Sequence, residues 1–165
     1  MYKIVEGNPL GYADVGKFIA LINEPPAGLR DLFDPRADIF LTRAPGRLDV
    51  MGGIADYSGS LVLQMPIAEA TLAAIQKSDD GRIVIVSLHR GATRYSTFEM
   101  TLADLANNRE PADYESIRNF FLRSGSKSWA RYTAGIFFVL RRELGIDFRA
   151  GARILIHHAA GRAGD

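Results

Sequence analysis

Two apolar runs joined by a short acidic turn do most to limit the folds open to this chain. The first covers residues 61–67 and continues through 70–76; the second covers 82–88; Asp79-Asp80-Gly81 lies between them. The first run is long enough for a helix, but its β-branched residues and the turn behind it favour a strand. The second, Arg82-Ile83-Val84-Ile85-Val86-Ser87-Leu88, is a clearer strand, and the turn before it predicts a hairpin. Residues 94–100 alternate polar and apolar and are expected to pair with it. A sheet therefore lies at the centre of the expected fold.

Helices flank these strands in the sequence. Residues 11–23 place Val15, Phe18, Ile19 and Ile22 at helical spacing and stop at Pro25-Pro26. Residues 25–36, rich in Pro, Gly and Asp, read as a connection, and 38–43 as a strand ended by Ala44-Pro45-Gly46. Further on, Tyr114, Ile117, Phe120 and Phe121 make one apolar helix face. Trp129, Tyr132, Ile136, Phe137 and Leu140 make another, with Ser126 or Ser128 as N-cap and Gly145 as the stop. Residues 152–157 return to a strand pattern. Strands, then helices, then a strand is an α+β order rather than βαβ alternation.

Composition excludes several classes of function. The 165 residues are 47% hydrophobic and 24% charged, enough for a sizeable core without staples. Twenty basic and 19 acidic residues leave a net charge of +1, with no basic block to serve nucleic acid or a membrane surface. With no cysteine there is neither a disulfide framework, a thiolate nucleophile nor a Cys-based zinc site. The N-terminus lacks a signal-peptide pattern, and no stretch approaches the ~20 apolar residues that span a bilayer. A cytoplasmic protein without nucleic-acid or membrane partners is expected.

The chemistry is concentrated between Arg43 and Leu63. Glycines recur at 46, 52, 53 and 59, and among them stand Arg47, Asp49 and Asp56. Glycines let a backbone approach a ligand closely, carboxylates accept hydrogen bonds from hydroxyls, and an arginine supplies fixed donors and positive charge. Such a set suits a neutral polyhydroxyl ligand. It equally suits a glycine-rich turn carrying a surface salt bridge.

The string as a whole resembles the first signature of the galactokinase branch of the GHMP kinases, Pro-Gly-Arg-x-Asn-x-x-Gly-Glu-His-x-Asp-Tyr, followed by Gly and an apolar run to Pro. Pro45, Gly46, Arg47, Gly52, Asp56, Tyr57, Gly59 and Pro66 fall on it in register. Trp129, Tyr132 and Gly135 are similar to the family's Trp-x-x-Tyr-x-x-Gly helix. The resemblance runs from about residue 38 to 158. It implies an N-terminal GHMP kinase domain, related in shape to the second domain of ribosomal protein S5, and a sugar 1-kinase activity using ATP and Mg2+. On this basis residues 37–165 are a partial kinase domain, and 1–36 an N-terminal extension with a helix and linker.

Carried over by position, the resemblance places Arg47 beside the anomeric hydroxyl, the nucleophile of phosphoryl transfer, where it positions that group and offsets charge. Asp56 would hold ring hydroxyls, and Tyr57 would pack beside the pocket. Where the pattern has Glu-His, this chain has Gly53-Ile54. That pair lies near the exocyclic C6 hydroxymethyl of galactose, and an unpaired buried hydroxyl costs about 1–3 kcal/mol. L-arabinose, with the same ring hydroxyls and no C6, is the expected sugar, and residues 46–57 are similar to L-arabinokinases. Asp49, where galactokinases have Asn, follows the arabinokinase pattern and is expected to be structural.

The family's second motif, the serine-rich loop that holds ATP phosphates on backbone amides, is expected after the strand ending near His157-His158. Residues 159–165, Ala-Ala-Gly-Arg-Ala-Gly-Asp, do not match it. No cofactor-binding residue is therefore expected in this chain, which is read as truncated before that loop, lacking the later catalytic carboxylate and inactive towards ATP alone. Alternatives are a galactokinase for D-galactose, a non-catalytic sugar-binding or regulatory protein, and a decayed fragment; a missing C-terminal part is the expected partner. Adjacent strand residues point to opposite faces, so His157-His158 is not expected to share a metal. His89 is expected at a strand end on the surface.

Overall fold

Alternation along the strands decides the layers. The computed structural model describes residues 1–8, 11–89, 94–107, 110–123 and 125–158, with the backbone alone at Asp56, Asn107, Glu110, Ser126, Lys127 and Ser128. Its elements are α1 (Ala13–Asn23), β1 (Phe40–Met51), β2 (Leu63–Ser78), β3 (Arg82–Leu88) and β4 (Tyr95–Thr101). The short strands β5 (Ala106–Asn107) and β6 (Glu110–Pro111) follow, then α2 (Tyr114–Arg123), α3 (Arg131–Leu144) and β7 (Gly151–His158). One sheet has the order β1-β2-β7-β3-β4, and β5 and β6 pair apart from it.

Odd and even positions of the central strands feed two separate cores. Ile83 and Ile85 of β3, Ile154 of β7 and Phe98 and Met100 of β4 pack with Ile117, Phe121, Ala134 and Phe138 of the helices. On the other face Val86, Leu88, Leu155, Leu72 and Ala74 receive Val15, Phe18 and Ile22 of α1. Because successive strand side chains point to opposite faces, a sheet covered on both sides reads as a continuous apolar run. Each large aliphatic or aromatic side chain buried this way contributes about 1.5–3 kcal/mol. Helix α1 breaks off at Glu24 before Pro25-Pro26, and Gly145 ends α3 with φ +63° while the Ile146 N–H returns to the Leu140 carbonyl at 3.2 Å.

Three sequence expectations are corrected. The strand over 38–43 does not end at Ala44-Pro45-Gly46 but runs on to Met51, with register shifts at Pro45/Arg47 and Asp49/Met51. β1 is an edge strand, where a proline removes no essential ladder bond, and the bulge takes up the irregularity. The hairpin expected across Asp79-Asp80-Gly81 does not form, because β7 lies between β2 and β3, antiparallel to the first and parallel to the second.

The third correction concerns α3. Its buried contacts are Ala134 and Phe138, preceded by Ala130, and of the expected face Trp129 and Phe137 pack against the same core, whereas Tyr132 is 74% and Ile136 55% exposed. The small residues Ala130 and Ala134 allow the helix to lie close to the sheet, and Tyr132 and Ile136 turn outward. Ala130 occupies the N-cap position with no side-chain cap, and Ser126 and Ser128 fall in the preceding 3-10 turn, residues 125–130.

Candidate functional site

The signature segment sits on a ribbon that projects from the sheet. β2 pairs with β7 only from Thr71 to Ser78, while its pairing with β1 extends to Leu63. Beyond Thr71, therefore, β1 and β2 form a two-stranded antiparallel ribbon among the described residues. Arg47, Leu48 and Asp49 of β1 stand opposite Pro66, Met65 and Gln64 of β2 in this ribbon. The base of the ribbon is anchored by Arg43, whose Nε donates to Asp14 Oδ2 of α1 at 2.9 Å and whose Nη2 donates to the Ala68 carbonyl at 2.5 Å. Its guanidinium also lies 4.7 Å from the centroid of the Tyr12 ring. The pairing of Asp14 with Arg43 is not legible in the sequence, because nothing in local spacing links a helix start to a strand 29 positions on.

At the tip, residues 53–58 wind through 3-10 turns between β1 and β2. The Ala55 N–H donates to the Gly52 carbonyl at 2.8 Å, and Ser58 Oγ donates to the Ala55 carbonyl at 2.7 Å. Gly52 has φ +74°, a left-handed conformation that other residues adopt only with strain. These bonds hold the loop compactly against the end of the ribbon.

Of the residues expected to bind sugar, Arg47 and Asp49 are brought together: Arg47 Nε lies 3.2 Å from Asp49 Oδ1, with both side chains about half exposed. Gly53 lies against the same carboxylate. Ile54 is 90% and Tyr57 97% exposed, so the expected packing of Tyr57 beside a pocket is not made within the described residues. The side chain of Asp56 lies outside the described residues, as do residues 159–165, on which the phosphate-loop expectation falls. Leu48, Val50, Met51, Leu61, Leu63 and Met65 are exposed around the same tip.

The remaining singled-out residues have structural surroundings. His157 stacks on Phe18 with ring centroids 6.0 Å apart, and burial, with a smaller push from His158, lowers its pKa. His158 Nδ1 lies 3.0 Å from Thr71 Oγ1 on β2. His89 is exposed, with Nε2 2.9 Å from Ser96 Oγ. Among the described residues no three His, Asp or Glu side chains are grouped to hold a metal ion, and no helix is long and apolar enough to cross a membrane.

Comparison with known proteins agrees with this arrangement. A family profile described as the galactokinase galactose-binding signature matches residues 29–77, which contain β1, the tip loop and most of β2. An L-arabinokinase of Arabidopsis thaliana is 42% identical over 150 residues, covering 78% of this chain and 14% of that protein. A galactokinase of Streptomyces coelicolor is 29% identical over 98 residues, covering 59% of this chain and 20% of that protein. The crystal structure of Lactococcus lactis galactokinase complexed with galactose superposes with a TM-score of 0.62 at 19% identity, covering 89% of this chain and 32% of that one. The fold is that of the N-terminal portion of a sugar kinase. The chain carries the galactokinase galactose-binding signature, is similar over most of its length to an L-arabinokinase, and spans less than a third of the length of each of these proteins.

Proposed function

We propose that this chain supplies the sugar-binding part of an ATP-dependent sugar 1-kinase whose preferred substrate is L-arabinose. The observation that carries the preference is the tip loop, where Gly53-Ile54 replaces the Glu-His of the galactokinase pattern and Ile54 stands 90% exposed. An aliphatic side chain offers no hydrogen bond to an exocyclic hydroxyl, so galactose loses a partner that L-arabinose never needs. The 42% identity to an L-arabinokinase supports the same choice.

In this proposal Arg47 donates to the anomeric oxygen and keeps it oriented, while Asp56 accepts from the ring hydroxyls. Positioning and electrostatic stabilisation of this kind supply most of the catalysis in phosphoryl transfer. Mg2+ATP, expected for the complete enzyme, would supply the phosphoryl group. The described residues provide no cluster of three or more His, Asp or Glu side chains for the metal.

The test is a titration of the chain with L-arabinose and D-galactose, followed by NMR of the residue 47–57 amides. L-arabinose should saturate at roughly tenfold lower concentration, the ratio that about 1.4 kcal/mol produces. Equal saturation, or a lower one for galactose, counts against the pentose. A galactokinase is the alternative, supported by the galactose-binding signature over residues 29–77. Binding of sugar by a protein with no kinase role is distinguished by testing phosphoryl transfer in the longest natural form of the chain.

A further inference from the structure

A Cβ placed on Gly53 would lie 2.6 Å from Oδ2 and 2.7 Å from Cγ of Asp49, closer than side-chain atoms approach one another. Gly53 is not among the glycines with positive φ, so space rather than backbone conformation requires glycine there. The other carboxylate oxygen of Asp49, Oδ1, is the one 3.2 Å from Arg47 Nε. One carboxylate thus fills the space beside Gly53 and holds the arginine of the signature. Among the described residues no third strand flanks the ribbon at Arg47, and its charged partner is Asp49, two positions on and on the same face.

We infer that Asp49 is a positioning residue for Arg47 and that glycine at 53 exists to admit Asp49, so that positions 47, 49 and 53 set the sugar contact as one unit. The inference rests on the sugar-kinase proposal above and deepens it. Gln64, opposite Asp49 on β2, has a buried Nε2 with no hydrogen-bond partner among the described residues. A side chain at 53 would push Asp49 away from Arg47, and Gln64 offers the donor that receives it. The same geometry explains the paired difference from the galactokinase pattern, which has Asn at 49 and Glu at 53. With Asp49 retained, a glutamate at 53 would set two carboxylates against each other, so the two positions must change together.

The experiment follows the Nε–H NMR signal of Arg47 in the whole chain, without sugar and then with L-arabinose, for wild type, D49N, G53A and D49N/G53A. Core amides of Leu72, Ile85 and Leu155 report that each variant is folded. Without sugar, the Arg47 signal should move in D49N and in G53A, and the double variant should move no further than D49N. Each single variant should then bind L-arabinose about threefold more weakly, the size expected for a partly exposed charge pair. An Arg47 signal unmoved by G53A overturns the inference, as does unchanged L-arabinose binding in D49N. If wild type fails to respond to L-arabinose, the sugar-kinase proposal falls, and with it the role given to Asp49.

Discussion

Asp80, in the turn after β2, and Arg153, on β7, are joined by a carboxylate–guanidinium contact that ties the inserted strand to the turn beside it. The same carboxylate accepts from Ser78 Oγ at 2.6 Å, from the Arg82 N–H at 3.0 Å and from Arg82 Nε at 2.8 Å. A turn that looks local in sequence is therefore the place where β2, β3 and β7 are fixed to one another.

Hydrogen bonds from Ser78 and the Arg82 backbone, ahead of those from the two arginines, hold the Asp80 carboxyl well below the ordinary carboxylate range. A carboxyl with a depressed folded-state pKa stabilises the fold above its unfolded value, about 4, and that stabilisation is lost as pH falls through the folded value. Asp80→Asn should thus lower stability by about 1 kcal/mol at neutral pH, a figure already reduced for partial exposure. It should also flatten the loss of stability below about pH 4. Urea unfolding at pH 7 and pH 3 measures both effects.

Gln76 is a buried polar side chain, 2% exposed, whose amide accepts from the Asp34 N–H at 2.7 Å and donates to the Asp34 and Ala37 carbonyls at 2.9 and 3.0 Å. It fastens the segment before β1 to the sheet. Gln76→Leu takes these bonds from the Asp34 N–H and the Ala37 carbonyl, while the Asp34 carbonyl still accepts from Tyr2 Oη and the Ala37 N–H, and should destabilise the chain by about 2–3 kcal/mol, read from the urea midpoint at unchanged m-value.

At the start of β7 a Cβ on Gly151 would fall 2.1 Å from the Arg82 carbonyl oxygen. Gly151→Ala must spread β7 from β3, and a loss of about 3 kcal/mol or more is expected. A thermal melt within 2 °C of wild type, roughly half a kcal/mol for a chain of this size, would contradict this packing.

How far the chain could be read from its sequence depends on whether the deciding contact was local. The continuous apolar run of β3, covered on both faces, and the alternation in β4 gave those strands directly. The turn at residues 79–81 did not disclose that β7, some 70 positions later, would enter between its strands. Pro45-Gly46 looked like a strand end because local propensity carries no information about whether a strand lies at an edge. In α3 the expected face held for Trp129 and Phe137 but not for Tyr132 and Ile136, because close approach to the sheet selects Ala130 and Ala134. Arg47 and Asp49 were legible from the motif, whereas the contact between Asp49 and Gly53 depends on side-chain space and was not.

The α3 correction predicts opposite responses on one helix. Ile136→Ser, on the exposed face, should change stability by less than about 0.5 kcal/mol. Ala134→Leu forces a larger side chain between helix and sheet, where Ala134 is fully buried, and should cost about 1–3 kcal/mol. Denaturant midpoints of the two variants test the orientation of the helix.

The central claim is that an apolar tip loop disfavours a sugar carrying a C6 hydroxyl. It is tested most directly by comparing L-arabinose, D-galactose and D-fucose, which has galactose's ring with a methyl at C6, in one competition titration. The account predicts that D-galactose binds weakest and that D-fucose lies nearer to L-arabinose, because Ile54 accepts a methyl but cannot pair a hydroxyl. D-galactose binding as tightly as L-arabinose, or more tightly than D-fucose, would contradict it.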